Sequence, residues 1–272
     1  MYGRARKITL DATLVVGITA LITAIRLLST QVQVAFALGV VCFTVMAWFK
    51  RCRAATSVGV FFVACLALVF AGVSYSQVFL GIGLLAYAVV SRRVSWLRDI
   101  AGWFRWGSFG TEVQVLTAAS GLIAAVAIWI WYWLLQPNLN DIVQDFVPSV
   151  PLSVLIVGGV LFSMVNAAVE ECAYRGVLLQ GLDVALGRGS AALVLQAVAF
   201  GTMHVHGFPR GELGVGLAAI YGLLMGHISR RAHGMLAPWL AHIFTDCVIV
   251  SIILAVARPS MTLQQTAWAT AF

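Results

Sequence analysis

The chain alternates long apolar stretches with short polar ones. Predominantly apolar runs occupy 8–28, 32–49, 57–75, 78–90, 113–135, 152–170, 191–204, 214–228 and 236–256. They are continuous rather than alternating, the pattern of helices in lipid and not of barrel strands with one wet face. Crossing a bilayer takes about 20 such residues, and in lipid only helices and closed barrels satisfy every backbone donor and acceptor. The pattern predicts an all-α polytopic transmembrane helical bundle of eight or nine spans. The short runs, 78–90 and 191–204, leave the count between those two numbers.

Two connecting segments stand apart from tight turns. Residues 91–110 (SRRVSWLRDIAGWFRWGSFG) mix Arg with Trp and Phe at roughly helical spacing, which predicts an amphipathic helix lying on the cytoplasmic membrane surface. Residues 136–151 carry three prolines and two aspartates and read as an extracytoplasmic linker. This linker divides the chain into an N-terminal transmembrane part, 1–150, and a C-terminal core, 151–272. Before it, only Asp11 and Arg26 are candidates for chemistry. Trp129, Trp131 and Trp133 cluster near the end of their run, as expected where a helix meets an interface. Pro238 and Trp239 are expected to kink or anchor the start of the last span.

Composition supports a lipid setting. Apolar residues make up 61 % of the chain and charged ones 10 %, against about 45–50 % and about 25 % in soluble domains. The net charge of +7 does not point to nucleic acid, because the basic residues form short clusters between apolar runs rather than one patch. If all nine runs cross, these clusters (Arg4/Arg6/Lys7, Lys50/Arg51/Arg53, Arg92/Arg93/Arg98/Arg105, Arg188 and Arg230/Arg231) fall on one side. The positive-inside rule makes that side, and the N-terminus, cytoplasmic. The C-terminus is then expected outside, with Arg258 near it. The basic start resembles a signal peptide, but no A-x-A site follows, so a retained first helix is expected. The five cysteines include no CxxC and read as free thiols. Together these features fit a multi-pass protein of a bacterial plasma membrane.

Charged groups inside such runs are costly, by about 2.5–3.5 kcal/mol on insertion scales, and persist where they face a partner or a cavity. The later runs hold several. In VEECAYRG, Glu171 and Arg175 are four apart and can pair on one helix face, while Glu170 points about 100° away. His204 ends AFGTMH; His206, two residues on, leaves that face. In APWLAHIFTDCV, His242 and Asp246 again lie four apart on one face. Taken singly, Glu171–Arg175 reads equally as a structural ion pair and His204 as a structural histidine. Cys172 has nothing beside it to mark a nucleophile, and there is no P-loop, dinucleotide glycine pattern or HExxH. A glutamate, two histidines and an aspartate from three spans can hold and activate water, with one group taking its proton and another stabilising an oxyanion. The same side chains, Glu170, His204, His242 and Asp246, are also suitable zinc ligands. Chemistry alone leaves hydrolase, metal carrier and proton relay open.

EECAYRG gives EExxxR, AFGTMH gives FxxxH from Phe200 to His204, and HIFTD gives HxxxD from His242 to Asp246. This ordered set over about 152–256 resembles the CPBP family of CAAX-processing and bacteriocin-processing intramembrane proteases. The resemblance implies peptide-bond hydrolysis at the membrane, on a membrane-anchored peptide or protein surrounded by lipid, in a polar cavity formed by the last four helices. Residue by residue, it implies Glu170 as general base on water, assisted by His204. His242 and Asp246 would orient the site and stabilise the oxyanion, with Glu171 and Arg175 fixing the motif helix and Phe200 supporting. Glu170 is expected near the cytoplasmic end of its span, so that the site opens to the cytoplasm. Two positions depart from the family pattern. Asp246 stands where Asn is common, and an ionised Asp cannot donate to an oxyanion; this favours a metal or an Asp–His orienting pair. Tyr174 stands where Phe is usual, adding a hydroxyl. Two other readings compete: a non-proteolytic scaffold or immunity protein of the same fold, and a transporter, for which no internal repeat speaks.

Overall fold

The computed structural model describes residues 2–101 and 104–270; Gly102 and Trp103, and the side chains of Arg4, Arg6, Lys7 and Arg258, lie outside the described residues. The described residues form helices and no strand. In chain order these are α1 (Tyr2–Ile25), α2 (Thr30–Phe49), α3 (Arg53–Phe70), α4 (Ser76–Arg93), α5 (Thr111–Leu135), α6 (Asn140–Phe146), α7 (Leu152–Glu171), α8 (Gln180–Leu186), α9 (Ser190–Thr202), α10 (Gly211–Ala232) and α11 (Leu236–Thr270). A π-helical stretch, Cys172–Leu179, joins α7 to α8, so that Leu152–Leu186 is one rod of 35 residues.

Seven helices are long and apolar enough to span a bilayer: α1, α2, α3, α5, the Leu152–Leu186 rod, α10 and α11. The two short runs of the sequence form α4 and α9. With 13 residues, α9 is about 20 Å long, and it packs one face against α10 and α1 while Val194 and Val198 stay exposed. The interior is apolar, with Phe61, Leu178, Leu182 and Met225 fully buried. The outer face is apolar too: Leu38, Leu122, Val157 and Leu161 are each more than half exposed. A surface of this kind is stable against lipid tails and not against water.

The helices alternate between two ends that differ in charge. At one end Arg53 pairs with Asp99 at 3.1 Å, Arg231 with Glu112 at 3.4 Å, and Arg230 with Asp183. Arg188 donates to the Arg230 carbonyl there. The N-terminus of α3 at this end is capped from α1, where the Asp11 carboxylate accepts from the amides of Ala54 and Ala55 at 3.2 and 2.9 Å. That contact makes Asp11 a structural group. At the other end Arg210 pairs with Asp141 at 3.0 Å and Tyr75 packs on Phe146. The Arg210 guanidinium holds the exposed Asp141 carboxyl below its ordinary range, chiefly through their hydrogen bond.

Among the described residues of 91–110, no continuous amphipathic surface helix is present. After α4, Ser95–Ala101 is a 3-10 turn whose Leu97 and Ile100 are buried in the protein, not laid on lipid. Residues 105–108 instead run extended along the start of α11. The Ser108 amide donates to the Ala232 carbonyl, and the amides of Met235 and Leu236 donate to the carbonyls of Arg105 and Trp106. Gly107 makes this possible: its φ is +80°, and a Cβ there would lie 2.7 Å from the Gly234 Cα. Gly107→Ala is expected to lower stability by more than about 1 kcal/mol, read as a lower thermal unfolding midpoint in detergent. The linker 136–151 also gains structure, folding as α6 between prolines.

Candidate active site

Glu170 and Glu171 are successive residues on α7, so their side chains diverge by about 100°. The His242 imidazole of α11 sits in that fork. Its Nδ1 lies 2.8 Å from Glu171 Oε1 and its Nε2 lies 3.7 Å from Glu170 Oε2. A carboxylate only accepts, so Nδ1 carries the proton donated to Glu171, and Nε2 is left facing Glu170. The same Nε2 lies 3.6 Å from Asp246 Oδ1, one helical turn along α11.

Asp246 is held from α7. Asn166 Nδ2 donates to its Oδ2 at 2.9 Å, and Gln77 Nε2 of α4 donates to Asn166 Oδ1 at 2.7 Å. Asn166 precedes Glu170 by four residues and therefore shares its helix face. Neither Asn166 nor Gln77 is among the residues singled out from sequence, although an Asn within the apolar run LFSMVNAAVEE is itself a polar group needing a partner. Asn166→Ala leaves Asp246 Oδ2 without its donor. A cost of about 1–3 kcal/mol is expected, measurable as a lower unfolding midpoint.

His204 and Phe200 come from α9 and the turn that follows it. Gly201 lets α9 approach α10 closely, since a Cβ there would meet the Val215 carbonyl oxygen at 2.6 Å. His204 Nδ1 lies 3.0 Å from the Phe200 carbonyl; a carbonyl only accepts, so His204 carries its proton on Nδ1 and an open lone pair on Nε2. Phe200 is the packing hub. Its ring meets those of Tyr174 at 5.0 Å, His204 at 4.8 Å and His242 at 6.1 Å, and the Arg175 guanidinium lies over its face at 4.5 Å. Tyr174 enters the site as a ring packed edge-on against Phe200. Arg175 Nη1 pairs with Glu171 Oε1 at 3.1 Å, both side chains fully buried. Tyr221 of α10, also absent from the sequence reading, packs on His242 at 5.5 Å.

Glu170, Tyr174, Phe200, His204, His242 and Asp246 all line one cavity of about 700 Å³. Its walls come from the four helices that follow the linker and also from α4, α5, α6 and the end of α1 at Arg26, so the N-terminal part contributes to it. The lining residues give the course of this cavity along the helices. Along α7 the lining residues Val154, Gly158, Phe162, Asn166 and Glu170 follow one face from the helix start, and along α11 they run from His242 to Leu254. The cavity therefore extends from the site toward the end that carries Asp141 and Arg210. The physical reason is the continuation of α7 through the π stretch. Arg175, buried against Glu171 and Phe200, closes the other side.

Zinc would need several donors converging on one point. Among the described residues no group of three or more His, Cys, Asp or Glu side chains is placed to hold a metal ion. His242 Nδ1 is engaged by Glu171, and the carboxylate oxygens of Glu170 and Asp246 lie 3.7 and 3.6 Å from its Nε2, beyond both hydrogen-bonding and ligating distance. The set fits proton transfer better than a metal cage.

Residues 151–248 match the family model described as type II CAAX prenyl endopeptidase, Rce1-like. No curated protein and no solved structure gives a significant match. The matched segment contains EExxxR, FxxxH and HxxxD, so the similarity to this family and the three motifs fall on the same residues.

Proposed function

We propose that the chain is an intramembrane endopeptidase that cuts a membrane-associated peptide by water activated at Glu170. The observation that supports this best is the clasped imidazole. Two carboxylates from EExxxR and one from HxxxD surround His242 within 3.7 Å, at the inner end of a cavity large enough for a peptide.

Glu170 Oε2 takes a proton from water as the oxygen attacks the scissile carbonyl, and the tetrahedral oxyanion forms beside the histidines. His242 acts as an imidazolium: its Nδ1–H is donated to Glu171, and its Nε2–H faces that centre and stabilises developing negative charge. His204 Nε2 offers a second base close by. The proton held by Glu170 then passes to the leaving amine, which restores the carboxylate. Asp246 is occupied as an acceptor from Asn166, so its part is to position the Nε2 side of His242, not to donate to the oxyanion. The matched family's description names CAAX prenyl proteins as one substrate class, and the cavity's apolar walls suit a lipid-modified tail or a plain apolar leader.

The test is cleavage of a quenched, membrane-anchored peptide by purified protein. Wild type is expected to cut, and His204→Ala to cut far more slowly at an unchanged unfolding midpoint. Equal cleavage by wild type, His204→Ala and Glu170→Gln would overturn the assignment.

A further inference from the structure

We infer that the peptide reaches the site from the extracytoplasmic side, through the full depth of the cavity, and that the enzyme's substrates are segments presented at that face. The inference rests on the proteolytic reading for its chemistry and on two independent observations for its direction.

The first is charge. The loop clusters of Lys and Arg gather at the end where Arg53, Arg188, Arg230 and Arg231 make their contacts. Of the 17 Lys and Arg residues in the chain, the other end keeps Arg26, Arg210 and, by sequence position, Arg258. Such an asymmetry in short loops sets orientation, with the basic end cytoplasmic. The second is the course of the cavity. Its walls extend from Glu170 and His242 to Tyr75, Phe146, Val147 and Val154, all at the opposite end. At the basic end lies a separate pocket of about 270 Å³ lined by Arg105, Asp183, Arg188 and Arg230, which Glu170, His204, His242 and Asp246 do not line. Between the two stands Arg175, buried and paired with Glu171.

The distances then say what can enter. From Val154 to Glu170 is sixteen helical steps, about 24 Å. An extended chain covers about 3.3 Å per residue, so about seven extended residues bridge the mouth and Glu170. The walls along that path are apolar, with Phe162, Ile128, Ile249 and Leu254 facing in, so the entering segment is apolar or carries a lipid chain. A folded domain does not fit.

Gly158 lines the cavity, and a Cβ there meets nothing within 4 Å, which makes Gly158→Cys a clean probe; Lys50→Cys marks the basic end. Each is expressed in a bacterial plasma membrane and treated, in intact spheroplasts and after permeabilisation, with a small charged methanethiosulfonate, against the wild-type cysteine background. Gly158→Cys is expected to react in intact spheroplasts and Lys50→Cys only after permeabilisation. Reaction of Gly158→Cys only after permeabilisation, or in neither state, overturns the inference. In the same cells, reporters with the cleavage segment outside are expected to be cut, and modification at Gly158→Cys to block that cut at least tenfold. Labelling from outside with no reporter cut by wild type would sink the proteolytic reading while leaving the direction of access standing.

Discussion

Glu170→Gln protein is expected to cleave its substrate about 10²- to 10⁴-fold more slowly than wild type, the range that loss of a positioned general base costs. The substitution keeps the side chain's shape, and the amide oxygen can still face the His242 Nε2 N–H while its NH2 group can donate toward Asp246, so the packing around Phe200 is retained. Only the ability to take a proton from water is lost. Single-turnover cleavage in detergent or bicelles measures the chemical step, and the unfolding midpoint and elution volume check the fold. A rate within a factor of a few of wild type would place the base elsewhere, with His204 Nε2 the next candidate because its Nδ1 is committed to the Phe200 carbonyl. His204→Gln in the Glu170→Gln background separates the two: a further large loss means that both take protons, and no further loss means that Glu170 alone does.

The helices were readable in the sequence because lipid imposes one local rule, a run of apolar residues long enough to cross, and that rule leaves its mark residue by residue. The three motifs were readable because ionisable groups in such runs stand out. What was not readable depends on distance between helices. Asn166 reaches Asp246 across 80 residues of chain and Gln77 reaches Asn166 across 89, and no spacing rule links them. The segment 91–110 has the alternation of a surface helix, yet Leu97 and Ile100 find a protein interior to fill and Gly107 lets the backbone lie against α11; the pattern could not say which apolar surface was on offer. The course of the cavity was not readable for a related reason. Sequence placed Glu170 at the end of an apolar run, but that run continues past the charged residues as one rod to Leu186. Glu171 and Arg175 interrupt hydropathy without interrupting the helix, because each neutralises the other. Local composition thus reports which groups are costly, while the partner that makes each tolerable belongs to the fold.

Removing Glu171 alone is expected to cost about 3–5 kcal/mol of stability, because Arg175 would be left buried and unpaired. Yet the pair itself is a poor stabiliser. Glu171 Oε2 and the Nε and Nη2 of Arg175 are buried with no hydrogen-bond partner, so the cost of desolvating the two ions is incompletely offset. A pair kept in that condition has to be explained by something besides stability, and the other contact of Glu171 supplies it. Oε1 lies 2.8 Å from His242 Nδ1, fixing which ring nitrogen faces Glu170. The double variant Glu171→Leu/Arg175→Met separates the two roles. Apolar side chains of similar volume are expected to restore most of the stability lost by Glu171→Leu, since neither ion remains to be desolvated. Turnover is not expected to recover: His242 still lacks its charged partner, a loss of about 1.5–3 kcal/mol, or roughly 10- to 150-fold in rate. Measuring unfolding midpoints and single-turnover rates side by side decides the matter. If the double variant regains both, Glu171 serves only to neutralise Arg175; if it regains stability alone, the second glutamate of EExxxR is what aims the imidazole at the first.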